Sequence, residues 1–198
     1  MRSWPIAISS EPEKHRRRSI RLKDYDYAQA GAYFVTVCTQ DRIFLFGDVR
    51  DECMCRNAAG QMVVTVWDSI SVRFPEIALD AFVVMPNHVH GIIVLPDSAE
   101  APLVAAQPSE RGATCKSATT SRPRLGEIVG TFKSLVTVEY VHGVKASGWQ
   151  PFRQRLWQRN YYEHVIRDEE ELNRIRRYID ENPLAWAFDD ENPQRVPP

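Results

Sequence analysis

The chain has 198 residues, 43% of them hydrophobic and 26% charged, with a formal net charge of -1. This is the composition of an ordinary soluble globular protein, long enough for one domain with a continuous core. It excludes a chain coated in positive charge for indiscriminate nucleic-acid binding, and no apolar run approaches the length needed to span a membrane. The N-terminus carries no apolar signal segment, so a cytoplasmic location is expected. Cys38, Cys53, Cys55 and Cys115 include no CxxC pair and read as free thiols.

Positive charge is concentrated near the start. Lys14, Arg16, Arg17, Arg18, Arg21 and Lys23 have no acid among them. Such a cluster can neutralise several phosphates, although a solvated tail has the same composition. Residues 1–30 are therefore expected to form a basic arm. From Ala32 to Thr39 a β-branched and aromatic run of alternating polarity predicts a strand. Residues 44–60 contain Gly47 and Gly60 and read as a loop or an irregular strand. Val63, Val66, Trp67, Ile70 and Phe74 have helical spacing, stopped by Pro75. Ala81–Met85 and His88–Leu95, separated by Pro86-Asn87, predict an antiparallel hairpin.

Residues 97–123 are rich in Ala, Ser, Thr and Pro without periodicity, the signature of a flexible insertion. Leu125, Ile128, Val129, Phe132, Leu135 and Val136 then mark one face of a helix, with Gly143 as its expected stop. A Trp- and Arg-rich stretch, residues 149–159, leads into a strand at Tyr161–Ile166. Asp168 and Glu171 form a capping-box pattern for a last helix to about Glu181, closed by Asn182-Pro183. The order strand, helix, strand, strand, helix, strand, helix predicts an α+β fold of the ferredoxin-like or RRM-like kind. Its antiparallel sheet would carry helices on one face, with an added C-terminal helix. The expected domain covers residues 31–187, and 188–198 would be a tail.

His88 and His90 stand two apart on a predicted strand, so both imidazoles leave the same face while Val89 enters the opposite layer. Two neutral imidazoles so placed can share a metal ion and leave positions open for a carboxylate or amide, a phosphate oxygen and water. An isolated pair of this kind also occurs as half-buried strand histidines. Here the pair follows a hairpin turn, in Val83-Val84-Met85-Pro86-Asn87-His88-Val89-His90.

That string resembles the HUH signature (histidine, hydrophobic residue, histidine) of the single-tyrosine transposases. Within them the chain is most similar to the REP-associated tyrosine transposases, which act on repetitive extragenic palindromes. Arg21-Leu22, Tyr33-Phe34-Val35-Thr36, Phe132-Lys133-Ser134 and Leu156–His164 carry the resemblance further. So do the helix from Glu170 to Tyr178 and its terminal Asn182-Pro183. It covers residues 16 to 187 except the 97–123 insertion.

The resemblance implies an enzyme that cleaves and rejoins single-stranded DNA near hairpins. The intermediate would be a covalent 5′-phosphotyrosine, with Mg²⁺ or Mn²⁺ held by His88 and His90 and no nucleotide cofactor. The partner would be single-stranded or hairpin DNA of the REP-like palindrome kind, bound by a monomer or homodimer. In the family the nucleophile lies on the helix after the histidine hairpin, which carries over to Tyr140. Tyr161 and Tyr162 are runners-up whose strand setting suits packing and base stacking, and Tyr178 reads as core. Some members place a Gln or Asn ligand four residues after the tyrosine. That step reaches Val144 from Tyr140, Val165 from Tyr161 and Ile166 from Tyr162, which leaves Glu139, His142 or water as the third ligand.

Arg16, Arg17, Arg18 and Lys23 on the arm, with Arg153, Arg155 and Arg159 beside Trp149 and Trp157, are the expected DNA contacts. Two other readings stay open: a domesticated hairpin-binding protein without catalysis, and a metal phosphodiesterase in which activated water attacks.

Overall fold

The computed structural model describes residues 29–97 and 123–195. The basic arm and most of the 97–123 insertion lie outside the described residues. The elements that follow are β1 (Gly31–Cys38), β2 (Gly47–Arg50), β3 (Cys53–Arg56), α1 (Ala58–Arg73), β4 (Ala78–Val84) and β5 (His88–Leu95). After the insertion come α2 (Leu125–Ser147), β6 (Tyr162–Ile166) and α3 (Glu169–Ala185). The main sheet has the order β4-β5-β1-β6, every neighbouring pair antiparallel. This is the α+β split βαβ arrangement expected from the order of the elements.

The strand pleat divides the core in two. Tyr33, Val35 and Val37 of β1, with Val89 and Ile93 of β5, face α1 and α2 and join Val63, Trp67, Ile70, Phe132 and Val136 in the larger cluster. Phe34 and Ile92 face the other way and pack with Ile166, Ile175 and Ile179 under α3. The two helices of the split βαβ unit thus cover one face and the C-terminal helix covers the other. A paired carboxylate and guanidinium fasten α3 to the sheet edge. Asp80, at the irregularity in β4, accepts from Arg176 Nε at 2.9 Å and Nη2 at 2.6 Å. The Arg176 hydrogen bond holds the Asp80 carboxyl below its usual pKa.

Element ends differ from the sequence pattern for local reasons. The region 44–60 contains a two-stranded ribbon, β2–β3. Its turn residues Asp51 and Glu52 adopt positive φ of 49° and 61° without the glycine that would have signalled it. Helix α1 begins before its apolar stripe because the Asn57 side chain accepts from the Gly60 N–H at 2.9 Å. Gly143 does not stop α2: a Cβ there would lie 2.2 Å from the Trp149 ring, so the glycine serves close packing and Gly148, at φ 65°, caps the helix. Asp168 caps α3 as expected, accepting from Glu171 N–H at 2.8 Å, while the Glu171 carboxylate reaches back one residue further, to Arg167 N–H at 2.9 Å. This helix runs through Pro183, whose missing N–H forfeits one hydrogen bond near the end.

Gly91 is where the larger core meets β5. The rings of Trp67 and Phe82 stack at 4.3 Å and 8°. A Cβ on Gly91 would come within 2.5 Å of the Trp67 ring and 3.1 Å of Phe82. Trp67 is also held edge-on by Phe132 and has nowhere to retreat. Gly91→Ala is therefore expected to cost about 1–3 kcal/mol by overpacking, read as a lower midpoint in urea denaturation with an unchanged slope.

Candidate active site

Pro86 and Asn87 join β4 to β5, and β5 opens directly on His88. The pleat sends His88 and His90 to the α3 face. Their Nε2 atoms lie 3.0 Å apart, and the residues are 0% and 2% exposed.

The hydrogen bonds around the pair decide which nitrogen carries a proton. Asn87 Nδ2 donates to the carbonyl oxygens of Arg42 at 3.2 Å and Glu191 at 2.8 Å. This orients the amide so that Asn87 Oδ1 accepts from His88 Nδ1 at 2.8 Å. His88 therefore carries its proton on Nδ1 and presents a lone pair on Nε2. His90 Nδ1 lies 2.8 Å from the Thr36 hydroxyl, which can donate or accept. With its proton on Nε2, His90 would donate to His88; with its proton on Nδ1, the Thr36 hydroxyl would accept it and both Nε2 lone pairs would be free to act as ligands. Burial, then the nearby Arg42 charge, pushes the His88 pKa down to about 3. Burial and the neighbouring His88 also drive His90 down, opposed by Asp189.

Residues after the predicted domain complete the surroundings. Ligand atoms of His88, His90 and Asp189 all lie within 4.8 Å of one another. The segment bearing Asp189 is held down by Glu191, whose backbone binds Asn87 and whose carboxylate pairs with Arg42 Nε at 3.0 Å. Cys38 Sγ donates to the same carboxylate, and burial beside that charge raises its thiol pKa. The Trp186 ring covers His88 at a centroid distance of 6.0 Å. Asn182 is buried and donates to Asp189 Oδ2 at 3.1 Å, while its Oδ1 has no hydrogen-bond partner among the described residues. A buried carbonyl oxygen left this way costs about 1–3 kcal/mol, so an electropositive occupant would be favoured beside it. Two converging uncharged imidazoles and a carboxylate fit a divalent cation.

The tyrosine at this site is Tyr178. Its hydroxyl lies 3.4 Å from His90 Nε2, and its ring packs 5.3 Å from the His90 ring. Burial, then Asp189 and Glu191, raise the phenol pKa, and the Asn182 amide pulls the other way. The residue is nonetheless 47% exposed.

Tyr140 stands elsewhere. It lies on α2 within the larger core, 1% exposed, and its hydroxyl donates to the Gln150 carbonyl at 2.9 Å. Phe46, Trp149 and Phe152 surround its ring, and burial raises its pKa to about 12. The sheet separates it from the histidines, because α2 packs on the opposite face.

The alternative third ligands also lie on α2, where His142 Nδ1 sits 3.7 Å from Glu139 at the surface. Arg153, Arg155 and Arg159 are exposed on the segment before β6, which Lys133 Nζ anchors through the carbonyls of Gln158 and Arg159. Trp157 belongs to the larger core and Trp149 packs against it. Arg16, Arg17, Arg18 and Lys23 lie outside the described residues.

Sequence reading missed Tyr178, Asn182 and Asp189. One signal for the first two was present: the step of four from tyrosine to an amide reaches Asn182 from Tyr178. Asp189 carried none, because the turn at Trp186–Phe188 brings it back onto the sheet.

No protein-family model matches the chain. An uncharacterized protein of Haemophilus influenzae is 38% identical over 178 residues, covering 88% of this chain and 92% of that protein. Among solved structures the chain is similar to a REP-associated tyrosine transposase bound to a REP hairpin. The identity there is 21%, over 85% of this chain and 75% of that one, with a TM-score of 0.48. It is also similar to a provisionally assigned transposase of Deinococcus radiodurans, at 17% identity over 81% and 95% of the two chains, TM-score 0.40. Among the described residues no helix is long and apolar enough to cross a membrane.

The depressed His88 pKa links the site to stability. Well above pH 6.5, the ordinary value, neither folded nor unfolded chain protonates this imidazole appreciably and no penalty applies. As pH falls from 6.5 toward 3, the unfolded chain gains a proton that folded His88 refuses, so stability falls. In chelator, denaturation at pH 5 should give about 2 kcal/mol less stability than at pH 7.5 on account of His88, and His88→Gln should flatten this slope.

Proposed function

We propose that this chain, which belongs to one family with the Haemophilus influenzae protein, is a metal-dependent DNA transposase that cleaves and rejoins single-stranded DNA beside hairpins. The observation that carries the reading is the meeting of a tyrosine hydroxyl and a converging histidine pair, Tyr178 Oη at 3.4 Å from His90 Nε2. A histidine pair alone would suit many roles. A pair made uncharged by burial, joined by a carboxylate and contacted by a half-exposed phenol, suits phosphoryl transfer to tyrosine.

In this reading His88, His90 and Asp189 hold the cation, Mg²⁺ or Mn²⁺, with Asn182 as a further oxygen donor. When bound, the cation supplies charge that polarises a phosphate oxygen and offsets the acidic surroundings that keep the phenol protonated. Asn87 and Thr36 orient the two imidazoles and set their tautomers. Tyr178 Oη attacks the phosphorus and gives up its proton to solvent. The bond to the 3′-oxygen breaks, that oxygen takes up a proton, and a 5′-phosphotyrosine remains. The phosphodiester linkage is exchanged rather than hydrolysed, so the 3′-hydroxyl of another strand can reverse the step and rejoin. Arg153, Arg155 and Arg159, with Arg16, Arg17, Arg18 and Lys23 of the arm, hold backbone phosphates in this proposal. REP-like palindromes are the proposed target class.

Burial of both imidazoles beneath Trp186 and Asp189 favours a second reading, a hairpin-binding protein that no longer cleaves. Incubation with Mn²⁺ and a labelled library of single-stranded hairpins, run on a denaturing gel, separates the two. A covalent protein–DNA adduct is expected, absent from Tyr178→Phe and His88→Ala. Tyr140→Phe should keep it while losing about 1 kcal/mol of stability with its hydrogen bond. An adduct that survives Tyr178→Phe would remove Tyr178 as nucleophile, and binding without any adduct would leave only the second reading.

A further inference from the structure

The register of the sheet places one more aromatic residue in line with the site. Thr36 of β1 pairs with His90 on one side and with Tyr162 of β6 on the other. Directly opposed residues share a face, so His90, Thr36 and Tyr162 form a row across three strands on the α3 side. Two strand spacings separate Tyr162 from His90, about 10 Å, or the rise of about three stacked nucleotides.

The two directions along this row differ. Toward β4, Val83 pairs with His90 and lies against the Phe34, Ile92, Ile175 and Ile179 cluster, so that side is closed by α3. Toward β6 the sheet ends, and Tyr162 stands on the edge strand, 39% exposed. Phe34 connects it to the reaction centre. The Phe34 ring meets Tyr162 edge-on at 6.2 Å and Tyr178 edge-on at 6.0 Å, and stacks on His90 at 5.3 Å. Arg159 is exposed three residues earlier, where a phosphate following the strand edge would pass.

We propose that Tyr162 is the stacking platform for an unpaired base within about three nucleotides of the bond attacked by Tyr178, and that the DNA strand leaves the site over β6. This rests on the reading of Tyr178 as the nucleophile. An aromatic face accepts any base, so Tyr162 selects for an unpaired nucleotide at that position rather than for its identity. A base held in a duplex keeps its faces stacked on its neighbours and cannot use the platform.

The test is fluorescence anisotropy with the full-length protein in chelator, where binding is read without chemistry. The probes are a labelled oligothymidylate and an abasic strand of the same length. The wild type should prefer oligothymidylate. Tyr162→Ala should weaken oligothymidylate binding roughly 5- to 150-fold and leave abasic binding unchanged, while Tyr162→Phe and Tyr162→Trp keep the preference. No preference in the wild type, an unchanged Tyr162→Ala, or an equal loss on both strands would each overturn the platform. The adduct assay reports separately on the nucleophile. An adduct with unaltered Tyr162→Ala binding removes the platform and leaves strand transfer. Base preference through Tyr162 without any adduct leaves the stacking surface and removes the nucleophile on which the placement depends.

Discussion

The pleat of β5 is the constraint on which the other features depend. Its odd-numbered positions from Val89 onward are committed to the core under α1 and α2, with the Trp67 ring pressed against Gly91. A shift of one residue would drive both imidazoles into that core and move Val89 and Ile93 to the α3 face, so the register is heavily specified. The histidines are thereby confined to the α3 face, and whatever works with them must come from that face. Tyr178, Asn182 and Asp189 do; Tyr140, Glu139 and His142 do not.

Asn87 joins the chemistry of the pair to the fold around it. Its one buried amide spends both N–H groups on the carbonyls of Arg42 and Glu191 and its oxygen on His88. The residue that selects the His88 tautomer is therefore also the one that fastens the segment carrying Asp189. Arg42 and Glu191 reinforce the same junction with their side chains. The burial so obtained keeps the imidazoles uncharged, the state in which they can act as ligands, and also raises the phenol pKa of Tyr178. A cation held there would act as a counterweight, favouring the neutral imidazoles and the ionised phenol alike.

The two helical tyrosines mark the limit of pattern reading. On a helical projection Tyr178 follows Ile175 by three, which suggests a shared buried stripe, whereas Tyr140 continues Phe132 and Val136 by steps of four. Tyr140 is buried in its stripe, as the spacing implies, whereas Tyr178, read as core from its spacing, is half exposed over His90. Periodicity reports that a side chain meets a core and is silent on which core. In a sheet covered on both faces that distinction decides whether a tyrosine meets the histidines.

Local sequence was enough for the strand and helix order, the antiparallel hairpin that presents the histidine pair, the cap at Asp168 and the common face of His88 and His90. Each depends on the period of side chains along one element or on a hydrogen bond within a few residues. The β2–β3 turn and the continuation of α2 past Gly143 have local causes that the residue pattern did not signal, whereas the partners of the histidines were decided only by tertiary structure. They depend on contacts between residues far apart in the chain: His90 with Tyr178, His88 with Trp186, Asn87 with Glu191. Such contacts follow from which face of the sheet each helix covers and from the return of the last turn onto it, and no periodicity within a single element records either.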